Sequence, residues 1–208
     1  GNGKVTLYWD RVAEESLDPV TKEKDFQGYK IYRATDPNFN DVRNITDANG
    51  LIQGYSTLAQ FDKKDEIKGY FYPSKNLFQD TKGYSFYLGD DSGLVHSYVD
   101  NDVQNGRTYY YALVAYDHGD EEKDIFPSEN SKFISVLPTG QIITDQNTAY
   151  ITPSSSAAGY SLNDTIKTAH QGPGTGSLKI NIVDEQALTG HQYQIEFFDT
   201  SNDGIDND

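Results

Sequence analysis

The stretch that most constrains this chain is residues 103–117, VQNGRTYYYALVAYD. Its second half, residues 109–116, holds no Gly, Pro or charged residue and is dense in Tyr, Val and Leu. Such a run predicts a strand long enough to cross a β-sandwich core. Its first half is a turn, because Asn105-Gly106 is the kind of pair that tolerates positive φ. The rest of the chain repeats the pattern on a smaller scale, with short alternating runs between Gly, Asn and Asp clusters. The expected fold class is therefore all-β.

Hydrophobic residues make up only 36 % of the 208, but 16 Tyr and 10 Phe supply large buried areas per side chain. Thirty-two acids against 17 bases give a formal charge of -15. That balance argues against nucleic acid, whose phosphates need a basic face, and favours solubility and divalent cations. No apolar run approaches the roughly 18 to 20 residues that cross a bilayer, so no membrane insertion is expected. There is no Cys, hence no disulfide framework, and no Met even at position 1. A chain that begins Gly1-Asn2-Gly3 reads as a processed product or a piece of a longer polypeptide.

Taken in order, residues 5–10, VTLYWD, alternate, with Val5, Leu7 and Trp9 on one face and Thr6, Tyr8 and Asp10 on the other. Residues 26–33, FQGYKIYR, predict a second strand, and residues 94–100 another. The spacing from Val103 through Gly106 to Tyr109 resembles the tyrosine corner of Greek-key sandwiches, whose hydroxyl meets a backbone group a few residues upstream. A strand ending in Trp-Asp, then GYKIYR, then NGRTYYYALVAYD resembles a fibronectin type III-like domain of bacterial extracellular surface proteins. The resemblance implies an Ig/fibronectin type III-like β-sandwich over residues 1–138. Residues 5–10, 26–33, 94–100, 109–116 and 133–137 would be its strands B, C, E, F and G.

Two departures accompany the resemblance. Strand A is either absent or upstream, and about sixty residues separate C from E. Residues 36–93 are read as an inserted hairpin or two folded against one sheet, since they carry Tyr70, Phe71, Tyr72, Phe78, Tyr84, Phe86 and Tyr87. Those rings either pad a shallow core or form a stacking platform for sugar or a partner protein.

Leu137-Pro138-Thr139-Gly140 reads as a boundary, with residues 139–208 a second β-rich module that is incomplete at its C-terminus. Residues 177–183 and 191–198 are its expected strands. The segment SLKINIVDEQALTGHQYQIEF resembles a β module that follows type III domains in large surface proteins of Bacteroidetes-type bacteria. Proteins of that kind are commonly exported by a type IX secretion route. The tail, DTSNDGIDND, offers oxygen ligands from Asp199, Asn202, Asp203, Asp206 and Asp208 around Gly204, a partial calcium-loop pattern without its closing Glu.

No catalytic constellation emerges. His96, His118, His170 and His191 are scattered without metal spacing, and there is no thiol, nucleophile elbow or phosphate loop. Asp90-Asp91 and Glu121-Glu122 read as solvated acids rather than a glycosidase pair. The expectation is a non-enzymatic structural or adhesion segment of a secreted or cell-surface modular protein, binding other domains or copies of itself. Two alternatives stand beside it. One is a carbohydrate-binding accessory module of a secreted polysaccharide-degrading enzyme. The other is a subunit of an extracellular filament or sheath, joined by strand addition.

Overall fold

The strand expected at residues 109–116 lies at the centre of the fold, hydrogen-bonded on both sides. The computed structural model describes residues 2–18, 22–72, 85–155, 171, 180 and 191–196. The chain divides into two compact units, Gly1–Ser155 and Ser156–Asp208. In the first unit the strands are β1 (Val5–Tyr8), β2 (Phe26–Ala34), β3 (Ile45–Thr46), β4 (Ile52–Gly54), β5 (Ala59–Asp62) and β6 (Gly69–Tyr70). They continue with β7 (Tyr87–Gly89), β8 (Ser97–Asp100), β9 (Tyr109–Asp117), β10 (Ile134–Val136), β11 (Ile142–Thr144) and β12 (Thr148–Ile151). Single 3-10 turns at Val12–Glu15 and Asn40–Val42 are the helical pieces among the described residues, and the protein is all-β.

Four strands form one antiparallel sheet in the order β12-β9-β2-β5, and β1 pairs with β8 in a separate two-stranded sheet. Side chains alternate across β9. Tyr109 and Tyr111 turn to an inner cluster with Val5, Ile31 and Val103, joined by Leu7, Trp9 and Tyr98. Tyr110, Ala112 and Val114 turn to an outer cluster with Tyr32, Phe39 and Ile134. Both faces of β9 are covered, which is why its sequence is a continuous apolar run. β1 is covered on one face only, and its sequence alternates accordingly, Val5 buried and Thr6 and Tyr8 exposed.

Polar ties also bind the two sheets. Arg33 on β2 donates through Nη1 to both oxygens of Asp100 at 3.0 Å, and Tyr111 donates to Asp100 at 2.7 Å. Burial, then the Asp100 carboxylate, pushes the Tyr111 hydroxyl well above the usual phenol value. The backbone N–H of Gln104 donates to the Tyr109 hydroxyl at 2.9 Å, so the upstream partner expected for Tyr109 is present.

Gly28 interrupts β2 for a steric reason. A Cβ there would lie 2.3 Å from the Phe61 carbonyl oxygen on β5 and 2.8 Å from the Tyr116 hydroxyl. The β2–β9 register shifts between Phe26 and Gly28, which seats this close approach.

Two expectations are corrected by the pairing. Residues 134–136, within the run 133–137 expected as strand G, pair with β11 rather than with β9. The place beside β9 is filled in two pieces. Near its C-terminal end Asp117 N–H donates to Ser128 O and Asn130 N–H to Ala115 O. Along its first half β12 pairs from Ala112 to Tyr109. Between the two pieces the chain leaves as the β10–β11 hairpin. Leu137-Pro138-Thr139-Gly140 is the turn of that hairpin, closed by Gly140 N–H to Leu137 O at 2.8 Å with Gly140 at φ +84°. The turn chemistry at residue 138 thus marks a hairpin tip, and the first unit extends to Ser155.

Of residues 36–93, β5 joins the main sheet, while β3 pairs with β4 and β6 with β7. Phe71, Phe86 and Leu88 pack with Tyr116, joined by Ile67 and Phe126, on the outer face. Tyr70 and Tyr72 are exposed, while Phe71 and Phe86 are buried. Phe78 and Tyr84 lie outside the described residues. In the second unit residues 191–196 are not in a strand, and the strand expected at residues 177–183 lies, apart from Ile180, outside the described residues.

Candidate functional site

The outer face of the four-stranded sheet carries a cleft of about 430 Å³. Lys30, Tyr32 and Gln60 come from the sheet, Gln53 and Tyr55 from the β4 hairpin and its exit, and Tyr70 and Tyr87 from β6 and β7. Phe126, Pro127 and Glu129, leading into the first piece beside β9, complete it.

Lys30 sits mid-strand on β2, where the alternation points it outward, with its side chain only 7 % exposed. Its Nζ lies 3.0 Å from Glu129 Oε1 and 3.6 Å from the centroid of the Phe86 ring. Burial pulls the ammonium below its ordinary value while Glu129 opposes the shift. Tyr32 donates to the same carboxylate, 2.8 and 2.9 Å from its two oxygens. The pairing recovers part of the desolvation that burying these charges requires.

Around the ion pair lie neutral groups. Gln60 Nε2 donates to the Tyr116 hydroxyl at 2.8 Å, and that hydroxyl in turn donates to Leu88 O. Tyr70 and Tyr87 are cross-strand neighbours with ring centroids 5.1 Å apart, and Tyr70 is 52 % exposed. A hydrogen bond to Asp90 pushes the Tyr87 phenol up to about 12. Near Tyr32 and Tyr55, Lys132 Nζ lies 3.5 Å from the Tyr55 centroid, and burial holds it below the usual lysine value.

A carboxylate cluster lies elsewhere in the first unit. Asp18, Asp25 and Asp117 each bring one oxygen to within 4.8 Å of the others and could hold a metal ion. Burial, then the Asp117 charge, raises Asp25 above the ordinary aspartate value. Asp117 is already engaged, accepting from Gly119 N–H and Ser128 N–H at 3.0 Å and from Ser128 Oγ at 2.6 Å. The tail ligands Asp199, Asn202, Asp203, Asp206 and Asp208 lie outside the described residues.

The other acids singled out hold loops in place. Asp91 accepts from the backbone of Asp65 and Glu66 and pairs with Lys68 at 3.0 Å, and Glu121 accepts from Tyr72 N–H. Among the histidines, His96 Nε2 lies 2.5 Å from Glu14 Oε1, and His118 Nδ1 2.6 Å from Gly119 O. Comparison with family models, with curated proteins and with solved structures gives no match.

Lys30, Glu129 and Asp25 are marked as site residues by no motif in the sequence alone. For Lys30 a signal was available, since a lysine between Tyr29 and Ile31 inside an otherwise apolar strand needs a partner for its charge once the strand is covered on both faces. Asp25 becomes a neighbour of Asp117 only once the strands are aligned, because Phe26 is opposite Asp117 in the β2–β9 register.

Proposed function

We propose that this chain is a non-catalytic structural segment of a secreted or cell-surface modular protein, acting by assembly with other domains and by surface binding. Residues 1–155 are read as a fibronectin type III-like sandwich. The supporting observation is the strand order. β9 lies between β2 and β12, with β1 and β8 paired apart from them, the arrangement of strands C, F, G and B, E in that class. The Gln104–Tyr109 hydrogen bond occupies the place of the corner contact. Calcium belongs to the same reading as a ligand of the acidic tail.

One observation favours the filament alternative. Among the described residues β1 pairs with β8 alone, which leaves its other edge open to strand addition.

Antibodies raised against residues 1–155 and applied to intact cells that make the protein test the proposal. Labelling of the exterior without permeabilisation is expected. Labelling that appears only after permeabilisation overturns it.

A further inference from the structure

We infer that the cleft over Lys30 and Glu129 binds a neutral saccharide, one end or one short stretch of a polysaccharide chain. The inference rests on the reading of the chain as a binding module and supplies its ligand class. At about 430 Å³ the cleft falls within the ordinary range of small-ligand sites, roughly 300 to 1,000 Å³.

The chemistry of the walls selects among ligand classes. Aromatic rings beside a carboxylate would suit a cation, but two of the cleft's rings, Phe86 and Tyr55, are already covered by the protein's own ammonium groups. Lys30 Nζ lies 3.6 Å from the Phe86 centroid and Lys132 Nζ 3.5 Å from that of Tyr55. A second cation would meet repulsion where it needs attraction. An anion fares no better. Lys30 is countered by Glu129 at 3.0 Å, and the chain carries a formal charge of -15. A wholly apolar ligand would strip water from the ion pair and from the Gln53 amide without replacing its hydrogen bonds.

What satisfies every wall is an uncharged molecule with an apolar face and many hydroxyls, which describes a pyranose ring. Tyr70, half exposed beside Tyr87, offers the stacking surface. The Glu129 carboxylate and the Gln53 side chain offer acceptor and donor groups for hydroxyls. Gln53 is held by its Nε2 donating to Asp47 at 3.1 Å.

The test is calorimetric titration of the protein with neutral glucose and mannose oligosaccharides, alongside an oligogalacturonate and choline. A neutral oligosaccharide is expected to bind. Tyr70→Ala should weaken it by at least about tenfold, near 1.4 kcal/mol, while Tyr70→Phe, which keeps the ring, retains binding. Tyr8→Ala, an exposed tyrosine on β1, should leave affinity unchanged. Because Tyr70 is exposed, the melting temperatures of the variants report whether the fold survives. Binding of choline or the oligogalacturonate in place of neutral sugar overturns the inference. So does absence of neutral-sugar binding, or binding that survives Tyr70→Ala. Exterior labelling of cells without sugar binding rejects the cleft alone, whereas labelling only after permeabilisation rejects the module reading itself.

Discussion

The backbone N–H of Gln104 points at the hydroxyl of Tyr109, 2.9 Å away and five residues downstream. The bond closes the turn that delivers the chain into β9, and Tyr109 is 4 % exposed. Tyr109→Phe keeps the ring and strands the amide. A cost of roughly 0.5 to 1.5 kcal/mol is expected in denaturant unfolding. Tyr110→Phe, whose ring belongs to the outer cluster, should cost less. Equal costs, or the reverse order, would contradict the register of β9.

Gly28 is the second point where a small change should be felt. The Phe61 carbonyl is backbone and cannot swing aside, so Gly28→Ala must move β5 or β2. A loss of roughly 1 to 3 kcal/mol is expected. A variant as stable as the parent would show that the two strands do not approach so closely.

How far the sequence reached can be judged on these strands. The runs around Tyr29, Tyr109 and Leu7 were legible because their apolar periods reflect which faces are covered. The piece at residues 128–130 was not. Three residues are too few to carry a period, and part of their attachment to β9 is a side-chain bond, Asn130 Oδ1 accepting from Ala115 N–H at 2.7 Å. The hairpin tip at Pro138 and Gly140 has the same chemistry as a linker, so turn residues alone could not place the unit's end. The cleft was visible only as an excess of aromatics. The ion pair between Lys30 and Glu129 joins residues far apart in sequence, and only the folded sheet brings them together.

The carboxylate cluster makes a prediction about pH. Asp25 is raised by burial and by the Asp117 and Asp18 charges, so the folded protein holds its proton more firmly than the unfolded chain does. Stability is then lost as pH rises from the unfolded aspartate value, about 3.9, through the raised folded value, and stays lower above it. Asp25→Asn removes that penalty. The variant should melt higher than the parent at neutral pH and show no such gain well below pH ~3.9. A gain of equal size at both extremes, or a loss at neutral pH, would contradict the proximity of the three carboxylates.

The place of β12 beside β9 decides the architecture. It makes residues 1–155 one unit and sends the intervening chain out as a hairpin. The chain has no Cys, so a pair introduced by substitution reports only on its own contact. Ala112 and Thr148 are cross-strand partners, while Ser135 is paired with Ile143. Disulfide closure needs Cα atoms within about 7 Å. Oxidation of the folded protein should close the bond in Ala112→Cys/Thr148→Cys and leave Ala112→Cys/Ser135→Cys open. Closure of the 112–135 pair with the 112–148 pair left open would contradict the fold and the cleft built on it.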